Sequence, residues 1–349
     1  MGTTSAAQEQ VPADNERALA TIYGQCVGDA IGLLTEFLSK KEAKTYYGSV
    51  RKALEFEHKK IVPDMHRERW KVADWTDDSD QMILIMLSLI ESDGKADPVD
   101  FGKRLKNWML HGFEELGDHA GLGIGRTTDA VLSRRDFIDN PHQAAEKVWI
   151  ASQRQFAPNG AVMRTSIVGV YDFNDLDSVA SNALTFCKVT HADPRCQASV
   201  VAVSVAIALM MLRGEKYLKK NGDYKVDTII LEANKYASTC LSTDEEKKEL
   251  WSYMKCHTLK WLKLDEESKI GYTYKCMGAG FWALKQNNFR ETIQNILMEG
   301  GDADTNCSVA GAMLGCKLGL DAIPASWKNK LLHKQWLDNI IEKFMALKS

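Results

Sequence analysis

Two short stretches hold carboxylates spaced closely enough to act together. Residues 74–80 read DWTDDSD, four aspartates in seven residues, and run on into the apolar MILIMLSLI. Residues 300–306 read GGDADTN and lead into a stretch with glycines at 311, 315 and 319. Carboxylates this close repel one another, and each costs free energy to desolvate beside an apolar segment. Either the acids cap helices in water, or a cation holds them together. Thr76, Asp77 and Asp78 form a threonine–carboxylate group at one helix start. Asp302, Asp304 and Thr305 repeat the pattern at another, where a turn placed by Gly300 and Gly301 would let both acids converge. Two sets of hard oxygen donors at helix starts suit a pair of Mg²⁺ ions. A calcium EF-hand is excluded at the second stretch. Cys307 stands where that loop needs glycine, and Met313 where it needs its last glutamate.

The elements that must carry these groups read as helices. Helical periodicity recurs along the chain and strand-like alternation is scarce, with helices expected near 15–31, 77–92, 97–111, 126–134, 140–152, 160–170, 175–189, 194–213, 225–241, 244–262, 272–287, 289–299, 304–318 and 333–346. Asp175, Asp193 and Thr243 are expected caps, and Pro98, Pro141 and Pro194 suit first helical turns. Gly24, Gly28 and Gly32, like Gly311, Gly315 and Gly319, repeat every four residues, so each set forms a smooth stripe that lets another helix approach. The expected architecture is all-α: one orthogonal multi-helix domain over 15–349 with a dinuclear metal cleft, after a disordered lead-in at 1–14, with 214–270 the most polar region.

The remaining composition narrows the class. The 349 residues are 45% hydrophobic and 26% charged, ordinary for a globular protein. With 44 basic against 47 acidic residues and no basic block, nucleic-acid or membrane-surface binding has no electrostatic support. The uncharged run 196–212 is short for a membrane span and begins Cys-Gln-Ala-Ser, so a buried core helix is expected. Eight scattered cysteines with no CxxC pair read as reduced thiols in a cytosolic or nuclear protein, expected to be monomeric.

Five motifs in order, GDAIGLLTEF (28–37), TDDS (76–79), PNGAVMR (158–164), TH (190–191) and GGDADTNCSVAGAMLG (300–315), resemble the ADP-ribosylglycohydrolase family and span residues 24–319. The resemblance implies an all-α fold with two Mg²⁺ ions, which Mn²⁺ could replace, held by Thr76, Asp77, Asp78, Asp302, Asp304 and Thr305. It implies catalytic roles for Glu36, Asp77 and Asp78, and it leaves Asp74 and Asp80 peripheral. Gly121, Gly123, Gly125, Asn159, Gly160 and His191 would contact substrate. A Rossmann reading of GLGIGRTT fails on spacing and on the absence of a preceding strand. The expected reaction is removal of ADP-ribose from protein side chains, arginine-linked first and serine-linked second. The alternative is a non-catalytic ADP-ribose-binding or crystallin-like member of the same fold; all six motif ligands are present, which favours an enzyme. Three positions depart from the usual pattern: Ser79 and Ala303, where threonine is common, and Ala161, where serine is.

Overall fold

The computed structural model describes residues 13–347. Its α-helices, in chain order, are α1 (Ala13–Gly32), α2 (Lys40–Tyr47), α3 (Asp77–Glu91), α4 (Pro98–His111), α5 (Arg126–Leu132), α6 (Pro141–Ala151), α7 (Leu176–Lys188), α8 (Pro194–Leu212), α9 (Val226–Ser238), α10 (Asp244–Met254), α11 (Leu259–Leu262), α12 (Thr273–Leu284), α13 (Phe289–Leu297), α14 (Ala303–Leu318), α15 (Ala325–Lys328) and α16 (Lys334–Ala346). No strand forms among the described residues, so the fold is all-α. The expected lead-in 1–14 lies outside the described residues as far as residue 12, whereas Ala13 and Asp14 already open α1.

Polar residues set the helix starts. Asp175, Asp193 and Thr243 accept hydrogen bonds from first-turn amides, as expected, and so do Thr76, Asp97, Asn140 and Asn288. Pro98, Pro141 and Pro194 occupy first turns, where a missing N–H costs nothing.

Two expectations fail locally. Residues 160–170 do not form an α-helix but a buried turn ending in one 3-10 stretch, Ser166–Gly169. Side chains there bond across the molecule, Arg164 to Gln81 and Ser166 to Gln25, and a Cβ on Gly169 would come within 2.2 Å of the Ser204 carbonyl. Burial from all sides replaced the one-sided stripe of a surface helix. The expected helix 244–262 breaks into α10 and α11 around Thr258, which is extended at φ −139°. Helix α2 was not anticipated, although Ser39 and Glu42 form a capping box at its start.

Helices α1 and α14 pack antiparallel along the two glycine stripes. A Cβ on Gly24 would lie 2.2 Å from Gly311 O, one on Gly28 2.1 Å from Cys307 O, and one on Gly315 2.2 Å from Ala20 O. This close approach offsets the roughly 1 kcal/mol that each helical glycine costs. It also sets the C-terminal end of α1 against the start of α14, where Gly32 meets Ala303 and Asp304. Helix α8 is long and apolar enough to cross a membrane, yet most of it is buried inside the molecule.

Candidate active site

Asp29, on the last turns of α1, reaches across to the start of α3. Its carboxylate accepts from the Thr76 amide at 3.1 Å, the Thr76 hydroxyl at 2.9 Å, the Ser79 amide at 3.0 Å and the Ser79 hydroxyl at 2.6 Å. Burial raises its pKa to about 6, and these four donors oppose the rise. The hydroxyl kept by Ser79 is therefore in use. Asp29 fixes the turn that presents Thr76, Asp77 and Asp78, and sequence reasoning gave it no role although it lies within GDAIG.

The start of α14 is built by Gly300 and Gly301, at φ +69° and +73°. Neither position has room for a side chain: a Cβ would lie 2.2 Å from Leu38 O at Gly300 and 2.1 Å from Leu264 O at Gly301. After this turn Asp302 is the residue preceding the helix and Asp304 stands in its first turn, within 3.4 Å of the Thr76 hydroxyl that caps α3.

The two helix starts meet around a shortage of protons. The Thr305 hydroxyl lies 3.2 Å from Asp78 Oδ2 and 3.2 Å from Asp302 Oδ1, and it has one hydrogen for two acceptors. The Thr76 hydroxyl lies 3.4 Å from both Asp78 Oδ2 and Asp304 Oδ2, while its shortest contact is to Asp29. Asp78 Oδ1 and Asp304 Oδ1 are buried and have no hydrogen-bond partner. Carboxylate oxygens of Glu36, Asp302 and Asp304 lie within 4.8 Å of one another. Burial first, then neighbouring carboxylates, push Asp77, Asp78 and Asp304 well above the usual range, and burial raises Asp302 and Glu36 as well. Only protons or a cation can neutralise such a group. An all-oxygen donor set with orphaned carboxylate oxygens fits a hard divalent cation.

The expected substrate residues divide. Gly123, at φ +90°, lies over Asp77, where a Cβ would sit 2.5 Å from Oδ1; the Gly123 and Gly125 amides donate to no backbone carbonyl among the described residues. Gly121 packs on the Trp108 ring instead. Asn159 donates through Nδ2 to Asp302 at 2.8 Å, so it serves the acid cluster directly. Gly160 lies against His191, whose buried ring shares a 2.7 Å hydrogen bond with Thr190 and is kept neutral by burial, with its pKa down to about 3. His191 has no direct bond to the acids. Asp80 faces away, accepting from Trp75 and Trp108 indoles at 2.8 and 3.0 Å, and Asp74 lies 3.5 Å from His333.

A sequence model of the ADP-ribosylglycohydrolase family matches residues 10–349. The chain belongs to that family. It is 24% identical over 338 residues to an ADP-ribosylarginine hydrolase of Serratia proteamaculans, covering 95% of this chain and 80% of the relative. It is 25% identical over 329 residues to the ADP-ribosyl-[dinitrogen reductase] glycohydrolase of Rhodospirillum rubrum, covering 92% of each. A solved structure described as an ADP-ribosylglycohydrolase-related protein complex aligns with 97% of this chain and all of its own at a TM-score of 0.71 and 22% identity, a likeness of fold. The chain is thus a glycohydrolase by family, with a carboxylate cluster able to hold metal.

In this ADP-ribosylglycohydrolase, a buried line of hydrogen bonds joins Thr190, the partner of His191, to Asp77. Thr190 accepts from Arg164 at 2.8 Å, Arg164 donates to Gln81 at 2.8 Å, and Gln81 donates to Asp77 at 3.0 Å. Arg164 is fully buried and Gln81 lies one turn from Asp77; neither was singled out from sequence, although Arg164 ends PNGAVMR. His66 is the other residue missed, and it lies 2.5 Å from Glu36.

Proposed function

We propose that this chain is a Mg²⁺-dependent hydrolase that removes ADP-ribose from arginine side chains of modified proteins, with serine-linked ADP-ribose as the second substrate class. The observation that carries the metal part is the convergence of Thr76, Asp78, Asp302, Asp304 and Thr305, with single hydroxyl protons left between pairs of acids. The names of the Serratia and Rhodospirillum relatives support the substrate class. Two ions are the reading that best uses donors from both helix starts, and Mn²⁺ should substitute.

The bond to be cut joins C1″ of the distal ribose to a side-chain nitrogen or oxygen, and the departing ribosyl centre gains positive charge. Bound divalent cations would orient the ribose hydroxyls and acidify a nearby water. Asp77 and Asp78 hold their positions through Gln81 and Thr305. Glu36, whose carboxylate lies within 4.8 Å of those of Asp302 and Asp304, would take a proton from the attacking water. The Gly123 and Gly125 amides, with Gly123 beside Asp77, would meet the diphosphate, and Gly160 and His191, next to each other, would contact the substrate. Eight scattered cysteines with no CxxC pair suit a cytoplasmic or nuclear setting.

Release of ADP-ribose from two peptides, one arginine-linked and one serine-linked, tests the reading. Faster turnover of the arginine-linked peptide is expected. Turnover of the serine-linked peptide alone would reverse the order, and turnover of neither would favour a non-catalytic ADP-ribose binder.

A further inference from the structure

Between α2 and α3 the chain runs through residues 48–76 with only two short 3-10 turns, Arg51–Ala53 and Arg67–Arg69. Arg67 is nevertheless buried, and its guanidinium is directed at the turn that carries Glu36. Nε donates to Leu34 O at 3.1 Å, one NH₂ group donates to the Glu36 carbonyl, and the other pairs with Asp64. On the opposite side Phe37 N donates to Gly301 O at 2.6 Å and Gly301 N to Leu38 O at 2.8 Å. The backbone of the Glu36 turn is therefore held from both sides. Its side chain is held by the residue before Arg67: His66 Nε2 lies 2.5 Å from Glu36 Oε2. The imidazole in turn packs between Phe37 and Trp70, with ring centres at 4.8 and 4.9 Å, and Trp70 reaches the Gly123 loop. These rings fix the plane of the imidazole and hence the direction of its hydrogen bond.

We propose that His66 is a positioning residue that holds the Glu36 carboxylate toward Asp302 and Asp304 before substrate arrives. Glutamate has three rotatable side-chain bonds, and fixing them in advance removes that ordering from the reaction barrier. His66 touches none of the reacting atoms and acts through Glu36. The inference rests on Glu36 being the base.

In the Mg²⁺-loaded enzyme, acting on the ADP-ribosyl peptide it turns over, His66→Ala should lower kcat by about 10- to 100-fold, the span of one hydrogen bond to a charged group. KM should stay within about threefold and the melting temperature near the parent's, because the loss concerns orientation rather than binding. His66→Gln, whose amide can donate to the same oxygen, should recover most of the rate, whereas the shorter His66→Asn should not. In a Glu36→Gln background, His66→Ala should cost nothing further. Multiplicative losses, or a Gln variant no better than Asn, would overturn the proposal. An inactive Glu36→Gln with an unaffected His66→Ala would overturn it alone, and an intact kcat in Glu36→Gln would remove the reading of Glu36 and the proposal with it.

Discussion

Asp78 and Asp304 each bury a carboxylate oxygen that no protein group satisfies, and each lies about a hydrogen-bond length from a threonine hydroxyl already serving another acid. Without a cation this is like-charge repulsion in a dry site. Asp304→Asn should therefore have effects of opposite sign: activity falls on the order of 10²-fold or more, while the metal-free protein melts no lower than the parent. Activity assays and thermal melts in chelator read the two separately. Asp80→Asn is the contrasting variant. Its two oxygens accept from two indoles, so an amide would turn NH₂ toward an N–H and cost about 1–3 kcal/mol of stability. The rate of the folded enzyme should stay within roughly tenfold, about 1.4 kcal/mol in barrier. Equal rate losses in the two variants would mean the wrong acids have been placed in the cleft. Thr76, Asp78, Asp302, Asp304 and Thr305, expected as ligands, come together in the fold, and the sequence marked them because two threonine–aspartate clusters repeat one pattern, where either cluster alone would read as a helix cap. Asp29, Gln81, Arg164 and His66 could not be read there, because each has a partner between 30 and 83 residues away that only the fold brings close.

Helices α1 and α14 do the positioning, through carbonyls set where side chains would otherwise stand. Gly28→Ala forces a methyl group into the Cys307 carbonyl 2.1 Å away, backbone against backbone, and should destabilise by about 1–3 kcal/mol or more. Because the same contact aligns the start of α14, metal affinity should fall with it. Gly214→Ala, where the nearest atoms are 3.5 Å away on the Tyr217 ring, should leave both unchanged. Calorimetric melts with and without Mg²⁺ would distinguish the pair. The glycine period made this packing legible in advance, as did the capping residues of α7, α8 and α10. The two misread elements differ in kind. Residues 160–170 are buried on every side, so their spacing marks no surface stripe, and 244–262 keeps helical spacing across Thr258, whose extended backbone that spacing does not encode.

For the whole molecule, the cluster links stability to pH and metal. Folding raises the pKa of Asp29 to about 6, and those of Asp77, Asp78 and Asp304 well above the ordinary range. A raised carboxyl stabilises the fold while it stays protonated, fully so below pH 4, and that contribution is lost as pH rises through the folded value. The chelated protein should thus lose melting temperature from about pH 5 upward. Divalent metal should restore it by binding the folded state alone, with a larger increment at pH 8 than at pH 5. A metal increment that shrinks with rising pH would contradict this linkage. The most direct measurement is ADP-ribose release from an arginine-linked peptide by protein stripped with a chelator and then titrated with Mg²⁺ or Mn²⁺. Activity should be absent in chelator and return with either ion. An undiminished rate after complete chelation would contradict the assignment of the two aspartate clusters as a metal site.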